Sequence, residues 1–336
     1  METMSLPNSV NKRKERGRIV LICVFCLIAI LQSGLRDMNN LPSGNDTPNY
    51  YYIYQGVERT SWNELLSGIS FYNVEYEIRD PGYAVFIKAT QLISKSFTFF
   101  MFLTAIFFMV PFGLFVNRFV KSYLGIILTF LLFFALFSNI INSFMRQAIS
   151  LGLVLFAIKY VINRDWKKYI GLFLIAFFIH SSSIIAAPLY LLPKISKTRK
   201  RLVIALVLSP ILIFFSDRLF SSLVVGTVYE IYADSNVENP VNYIILVFVI
   251  SLGAIAFFNN LKHGEHYELL MSGVIGSLLI LPIVVLGNTM LRISYYYVLF
   301  IIPLVAVIID SLKIRQDFKN AIYLLLILVF LFYIIR

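Results

Sequence analysis

An all-α polytopic membrane protein is the fold class this sequence predicts, and three observations predict it. Of 336 residues, 59% are hydrophobic and only 14% charged, with a mean hydropathy of +0.81, which excludes a soluble domain. The apolar runs are about twenty residues long, enough to cross ~30 Å of hydrocarbon as helix. They carry Leu, Ile and Phe on every side, where a β-barrel would alternate over strands of about ten. Most of the 29 Lys and Arg lie in short links between the runs. The net charge of +11 therefore follows membrane topology and not a nucleic-acid partner.

The expected architecture is about nine full transmembrane helices plus a short or re-entrant hairpin at 169–193. All belong to one integral membrane domain, 1–336. It comprises a cytoplasmic tail at 1–18, a large outer loop with amphipathic helices at 36–96, and a helical bundle at 97–336.

The elements follow in order. Lys12, Arg13, Lys14, Arg16 and Arg18 hold the tail in the cytoplasm. Ile19–Leu35 is a retained anchor: it is long for a signal-peptide core, and Gln32-Ser33-Gly34-Leu35 is not a cleavage site. Its two cysteines, Cys23 and Cys26, form a CxxC with no second pair and no histidine cluster, so neither a metal nor a cofactor is expected. The segment from Arg36 to Ser96 is rich in acids and in Tyr. Within it, Tyr83–Ser94 is apolar but too short to span and reads as an interfacial or re-entrant helix. Spans are expected near 97–119, 123–141, 144–162, 202–220, 241–258, 267–287, 290–310 and 321–335. An acidic outer loop at 224–240 holds Glu230, Asp234 and Glu238.

The segment Tyr169–Pro193 is anomalous. Basic links bound it on both sides: Arg164, Lys167 and Lys168 before, and Lys194 to Arg201 after. If both are cytoplasmic, the chain must enter and return. Each arm of about twelve residues reaches ~18 Å as helix, too little to span. A shallow hairpin with His180 near its tip is the expectation, and one ordinary span is the alternative. Non-helical backbone at such depth survives only where it lines a cavity or is buried in protein.

The stretch Ser138–Gln147 is polar between apolar runs: two Asn, two Ser, Arg146 and Gln147. An Arg at bilayer depth costs roughly 2.5–3.5 kcal/mol and faces a polar partner or cavity. At a helix end it can instead snorkel to the interface. With a tight turn, Asn139, Asn142 or Ser143, Arg146 and Ser150 share a helix face.

The expected topology puts Arg36, Asp46, Arg79, Asp80, Arg146, His180 and Arg292 on the outer face. There is no Walker loop, no GxGxxG after a strand and no HExxH. A lipid-linked, already activated substrate suits that face, where nucleotides are absent. Recessed guanidinium groups suit a diphosphate through bidentate bonds. Tyr-rich loops suit sugar rings, although an interfacial aromatic belt has the same composition. His180 is a candidate general base or phosphate ligand, or a packed histidine bonded to Ser182 or Ser183. Asp80, in Asp80-Pro81-Gly82, is a candidate base or a turn residue and helix cap. Arg292 begins a helix with Tyr295 and Tyr296 one turn on.

Taken together and in this order, these residues resemble the EpsG family of bacterial polysaccharide polymerases, related in role to Wzy O-antigen polymerases. The matching pieces are Arg36, Asp46 with Tyr50, and Asp80-Pro81-Gly82-Tyr83. They continue with Asn142-Ser143-Phe144-Met145-Arg146-Gln147-Ala148, Phe178-Ile179-His180-Ser181-Ser182, Leu189-Tyr190-Leu191-Leu192, and Arg292 with Tyr296. The likeness is densest over Gly34–Pro193. Asp80 stands where the family often has Glu, and Ser183 where a small apolar residue is common.

The resemblance implies a GT-C-like membrane glycosyltransferase in the bacterial inner membrane, with its N-terminus cytoplasmic and its site facing out. A growing glycan on undecaprenyl diphosphate would move en bloc to a repeat unit on the same lipid, making O-antigen, capsule or exopolysaccharide. Partners would be that lipid-linked oligosaccharide, the bilayer and a chain-length regulator. Catalytic roles would fall to His180, Arg146, Asp80 and Asp46. Substrate and diphosphate contacts would fall to Arg36, Arg79, Arg292, Tyr50, Tyr83, Asn142, Gln147 and Tyr296. A flippase for the same lipid is the competing reading; it would place charge along a path open to both faces and show paired repeats.

Overall fold

The structure, a computed structural model, describes residues 8–38, 41, 45–67, 80–216, 218, 241–286 and 288–335. Arg79 and the acidic loop at 224–240 lie outside them. The described residues form helices joined by short turns, without a strand. Among the described residues, six helices are long and apolar enough to cross a membrane: Lys12–Gly34, Phe97–Phe119, Met145–Ile162, Tyr267–Val284, Met290–Ser311 and Gln316–Ile335. This is a polytopic membrane protein. Of the nine expected spans, three are shorter helices: Tyr123–Phe137, Arg199–Phe214 and Val241–Ala256. The first stops early because the polar stretch breaks it at Ser138.

The chain divides into two compact units. The first comprises Met1–Ala157, Gly171–Ser181 and Asn320–Arg336. In it, α1 (Asn8–Gly34) and α5 (Phe97–Phe119) run antiparallel. Arg18 donates to Asn117 Oδ1 at 3.1 Å, Cys26 Sγ to Met109 O at 3.4 Å, and Gly34 abuts Phe102. The end of α1 and the start of α5 therefore share one membrane face. The CxxC is one helical turn of this interface, with Cys26 buried and Cys23 exposed.

At that face sit α2 (Thr47–Arg59), α3 (Trp62–Ser67) and α4 (Pro81–Gln91). The predicted short helix after Gly82 is α4. It packs on α2, and its Lys88 Nζ bonds the carbonyls of Val57 and Glu58, both at 3.1 Å. A cation there satisfies the last carbonyls of α2 and its dipole. Gln91 Nε2 donates to Tyr54 O at 2.8 Å.

Between α6 (Tyr123–Phe137) and α8 (Met145–Ile162) lies one helical turn, α7 (Asn139–Asn142). Its carbonyls would be orphaned by the break. Ser33 Oγ and Arg36 Nη1 donate to Ile141 O at 2.8 and 3.2 Å. Asn45 Nδ2 and Thr47 Oγ1 donate to Asn142 O at 3.2 and 3.1 Å. The polar break is thus the hub on which the end of α1 and the start of α2 are hung.

The second unit comprises Ile158–Ile170 and Ser182–Lys319. Here the helices Tyr267–Val284 and Asn288–Ser311 pack closely, because a Cβ at Gly273 or Gly276 would run into Phe300 and Tyr297. Small residues of this kind let membrane helices approach. Within this unit the two ends of the anomalous segment meet. Tyr190 Oη donates to Arg164 O at 2.8 Å, and Tyr169 Oη to Ala186 O at 2.7 Å. The Tyr169 and Tyr190 rings lie 5.4 Å apart. One ordinary span would hold these ends more than 30 Å apart at ~1.5 Å per residue. The chain instead goes in as a helix, Trp166–Ile179, and returns as a 3-10 segment, Ser181–Tyr190, with His180 between them.

Candidate functional site

The first unit gathers its polar side chains around Asp80. This residue ends the segment before α4, and Pro81 takes the first helical position, where a missing N–H costs nothing. Gly82 then lets α4 meet the hairpin: a Cβ there would lie 2.7 Å from the Phe178 carbonyl. That close approach brings Asp80 to the hairpin tip. Its Oδ1 accepts from the Ser181 backbone N–H at 3.0 Å. Its Oδ2 meets His180 Nδ1 at 3.1 Å and Arg146 Nη1 at 3.1 Å.

Asp80 is only 2% exposed. Burial alone would push its carboxyl up. The hydrogen bond and charge of His180, the charge of Arg146 and the Ser181 N–H outweigh that and hold it below its ordinary value. The carboxylate is therefore ionised at neutral pH, with both oxygens engaged. It is a buried clamp on its neighbours.

Arg146 stands in the first turn of α8, as the sequence predicts. Its guanidinium lies 5.7 Å from the Tyr50 ring centroid and 5.9 Å from that of Tyr83. The two rings meet edge to face at 5.8 Å. Tyr50 comes from α2 and Tyr83 from α4, so both outer helices wall the cation. Such contacts are worth about 0.5–2 kcal/mol, more when desolvated. The Tyr83 hydroxyl feels the charges of both Arg146 and Arg36.

Arg36, expected to contact substrate, also has a structural role. Its Nη1 bonds Ser33 O, Ser33 Oγ and Ile141 O at 3.0–3.2 Å, and burial brings its pKa down to about 10. It braces the broken helix. Four polar atoms of this cluster are buried without a hydrogen-bond partner among the described residues: Arg36 Nε, Tyr83 Oη, Asn142 Oδ1 and Arg146 Nε. Each such group costs about 1–3 kcal/mol unless something meets it.

The other expected residues fall as follows. Asp46 is half-buried before α2, and its backbone N–H donates to Ser143 Oγ at 3.0 Å. Asn142 serves through its carbonyl. Gln147 is buried one residue beyond Arg146, and Ser150 Oγ bonds Ala176 O at 3.1 Å, tying α8 to the hairpin's first arm. Arg292 and Tyr296 lie in the second unit on the helix Asn288–Ser311, with Arg292 half-buried and Tyr296 buried. Sequence reasoning missed the Ser181 N–H, the Ser33 brace and the caging of Arg146 by Tyr50 and Tyr83. Only the Gly after Asp80-Pro81 hinted that something approaches there. Among the described residues no three His, Cys, Asp or Glu gather as a metal site.

A family model matches residues 13–336, nearly the whole chain. The chain belongs to the EpsG family. No curated protein and no solved structure matches it. EpsG membership points to a polysaccharide-polymerase role in general and to a membrane-embedded chain. In this EpsG protein the Asp80, Asn142–Gln147 and Phe178–Ser181 pieces, far apart in sequence, form one bonded cluster.

Proposed function

We propose that this protein polymerises lipid-linked oligosaccharide repeat units, moving the growing glycan en bloc from undecaprenyl diphosphate to the acceptor unit at the outer face of the inner membrane. The observation that carries the reading is the Asp80 carboxylate bridging Arg146 and His180 inside a tyrosine cage.

The chemistry follows from charge. Arg146 and Arg36 outnumber the buried Asp80 carboxylate beside them, so the site favours an anion. As the bond between the sugar C1 and the diphosphate breaks, negative charge grows on the leaving oxygen. Arg146, held in place before the reaction, stabilises that charge without reorganising, the term that is usually largest. The acceptor hydroxyl forms the new bond to C1, and its proton passes to neutral His180. Asp80 orients the imidazole through Nδ1 and stabilises its charged form, as the buried acid does in a nucleophile–His–Asp triad. Asp80 is on this account a positioning residue, and His180 the base. Asp46 and Arg292 are further candidates for acceptor and diphosphate contacts.

The test uses purified protein in nanodiscs supplied with lipid-diphosphate repeat units. Longer glycans on the lipid support polymerisation. Movement of the lipid across a sealed bilayer with no lengthening would make the protein a flippase and end the proposal.

A further inference from the structure

We infer that the groove between α2 and the start of α5 is a saccharide subsite, gripping sugar residues of the lipid-linked glycan while its diphosphate lies at Arg146. The inference rests on the polymerase reading and adds the place where the glycan is held.

The groove encloses about 590 Å³, within the ~300–1,000 Å³ of small-ligand pockets. Its character is divided. Met38, Phe97 and Met101 give an apolar floor, while Gln55, Glu58 and Lys95 give a polar rim. A pyranose ring is divided in the same way, with a face of C–H groups and an edge of hydroxyls. Tyr51 supplies both matching parts, a ring and a hydroxyl, and is 42% exposed. The Glu58 carboxylate and Lys95 ammonium sit 3.2 Å apart at the rim, an acceptor beside a donor, which suits two neighbouring hydroxyls.

The floor is fixed in advance. Phe97 meets Tyr51 edge-on at 5.1 Å and Tyr54 at 5.3 Å. The Tyr54 hydroxyl donates to Ser94 O at 3.2 Å. A site already ordered loses little entropy on binding. An acyl chain in the same place would strip water from Glu58, Lys95 and Gln55 without replacing their hydrogen bonds, which is costly.

Position joins the groove to the cluster. Tyr50 faces Arg146, and Tyr54 borders the groove one turn further along α2, about 6 Å away. A glycan leaving a diphosphate at Arg146 and running along α2 enters the groove within a few sugar residues.

Full-length protein in nanodiscs would be titrated calorimetrically with two probes. One is inorganic diphosphate. The other is lipid-free oligosaccharide released by mild acid from the polysaccharide of the producing cells. Tyr51→Ala is expected to weaken oligosaccharide binding about tenfold through loss of the ring, and to leave diphosphate binding unchanged. Tyr51→Phe, which keeps the ring, should lose far less, and Lys95→Ala an intermediate amount. Arg146→Gln should do the reverse, weakening diphosphate alone. If Tyr51→Ala and Lys95→Ala bind the oligosaccharide as the parent does, the groove is not a subsite, and the Arg146 assignment stands. If Arg146→Gln leaves diphosphate binding intact, the polymerase reading of the site fails instead. Thermal unfolding of each variant checks that exposed Tyr51 and Lys95 are not needed for the fold.

Discussion

Asp46 and Asp80 occupy the same local position. Each immediately precedes a helix with Pro in its first two residues, and neither caps that helix through its side chain. Their tertiary surroundings separate them. Asp80 is buried and bonded on both oxygens to the tip of the hairpin and to Arg146. Asp46 is half-buried and meets the polar break through its backbone N–H to Ser143. The place before a Pro-led helix is thus shared, while the backbone is αR at Asp46 and extended at Asp80, and a different distant segment arrives beside each acid.

The comparison breaks most visibly at Asp80. Asp80→Ala leaves Arg146 and His180 facing each other without their common counter-charge. Removing one partner of a buried pair costs about 3–5 kcal/mol, so a large fall in thermal stability and loss of polymer are expected. Asp46→Ala loses no side-chain cap, so a smaller fall in thermal stability than at buried Asp80 is expected. Equal losses in the two variants would erase the distinction.

Arg146→Lys comes next. Lysine keeps the charge but loses the planar fork that reaches Asp80 between two rings. Polymer formation should fall roughly 10²-fold, on the scale of losing one preorganised donor, with protein level maintained. An unchanged ladder of chain lengths after Arg146→Ala would remove this residue from the mechanism. Gly82→Ala tests how Asp80 reaches the tip. The new Cβ presses on the Phe178 backbone, at a cost of about 1–3 kcal/mol, and should lower activity more than a matching change at exposed Gly171, where nothing lies within 4 Å.

The smallest effect is in pH. The Asp80 carboxyl titrates below its ordinary value in the folded protein, so its contribution to stability is fully present above the unfolded value near ~3.9. That contribution disappears as pH falls through the folded value. The stability gap between the parent and Asp80→Asn should therefore be present at about pH 5 and shrink as the pH falls below about 4. A gap that does not shrink there would contradict an ionised, clamped Asp80.

Much of this was legible in the sequence. Apolar runs gave the helices, because helix length against bilayer thickness leaves few options. Two basic links too close together gave the hairpin, and the polar stretch gave Arg146. What was not legible is pairing. Nothing in Asp80-Pro81-Gly82 says that Oδ1 will find the N–H of Ser181, about a hundred residues away. Arg36 illustrates the same limit: the sequence places a cation after a span but does not show that its Nη1 bonds Ser33 and the Ile141 carbonyl of the broken helix. Tyrosines posed a third problem, since composition cannot separate Tyr50, which cages a cation, from Tyr52, which is exposed.

The 3-10 return from Ser181 to Tyr190 carries one last consequence. The inbound helix has 14 residues, about 21 Å at 1.5 Å each. The outbound arm has only 10, yet wound as 3-10 at ~2.0 Å per residue it covers about 20 Å, a reach that 10 residues of α-helix would cut to about 15 Å. The stretched coil is what gives Tyr190 its reach toward Arg164 and Tyr169. Deleting residues from this arm would pull that tyrosine off both partners and loosen the base of the hairpin.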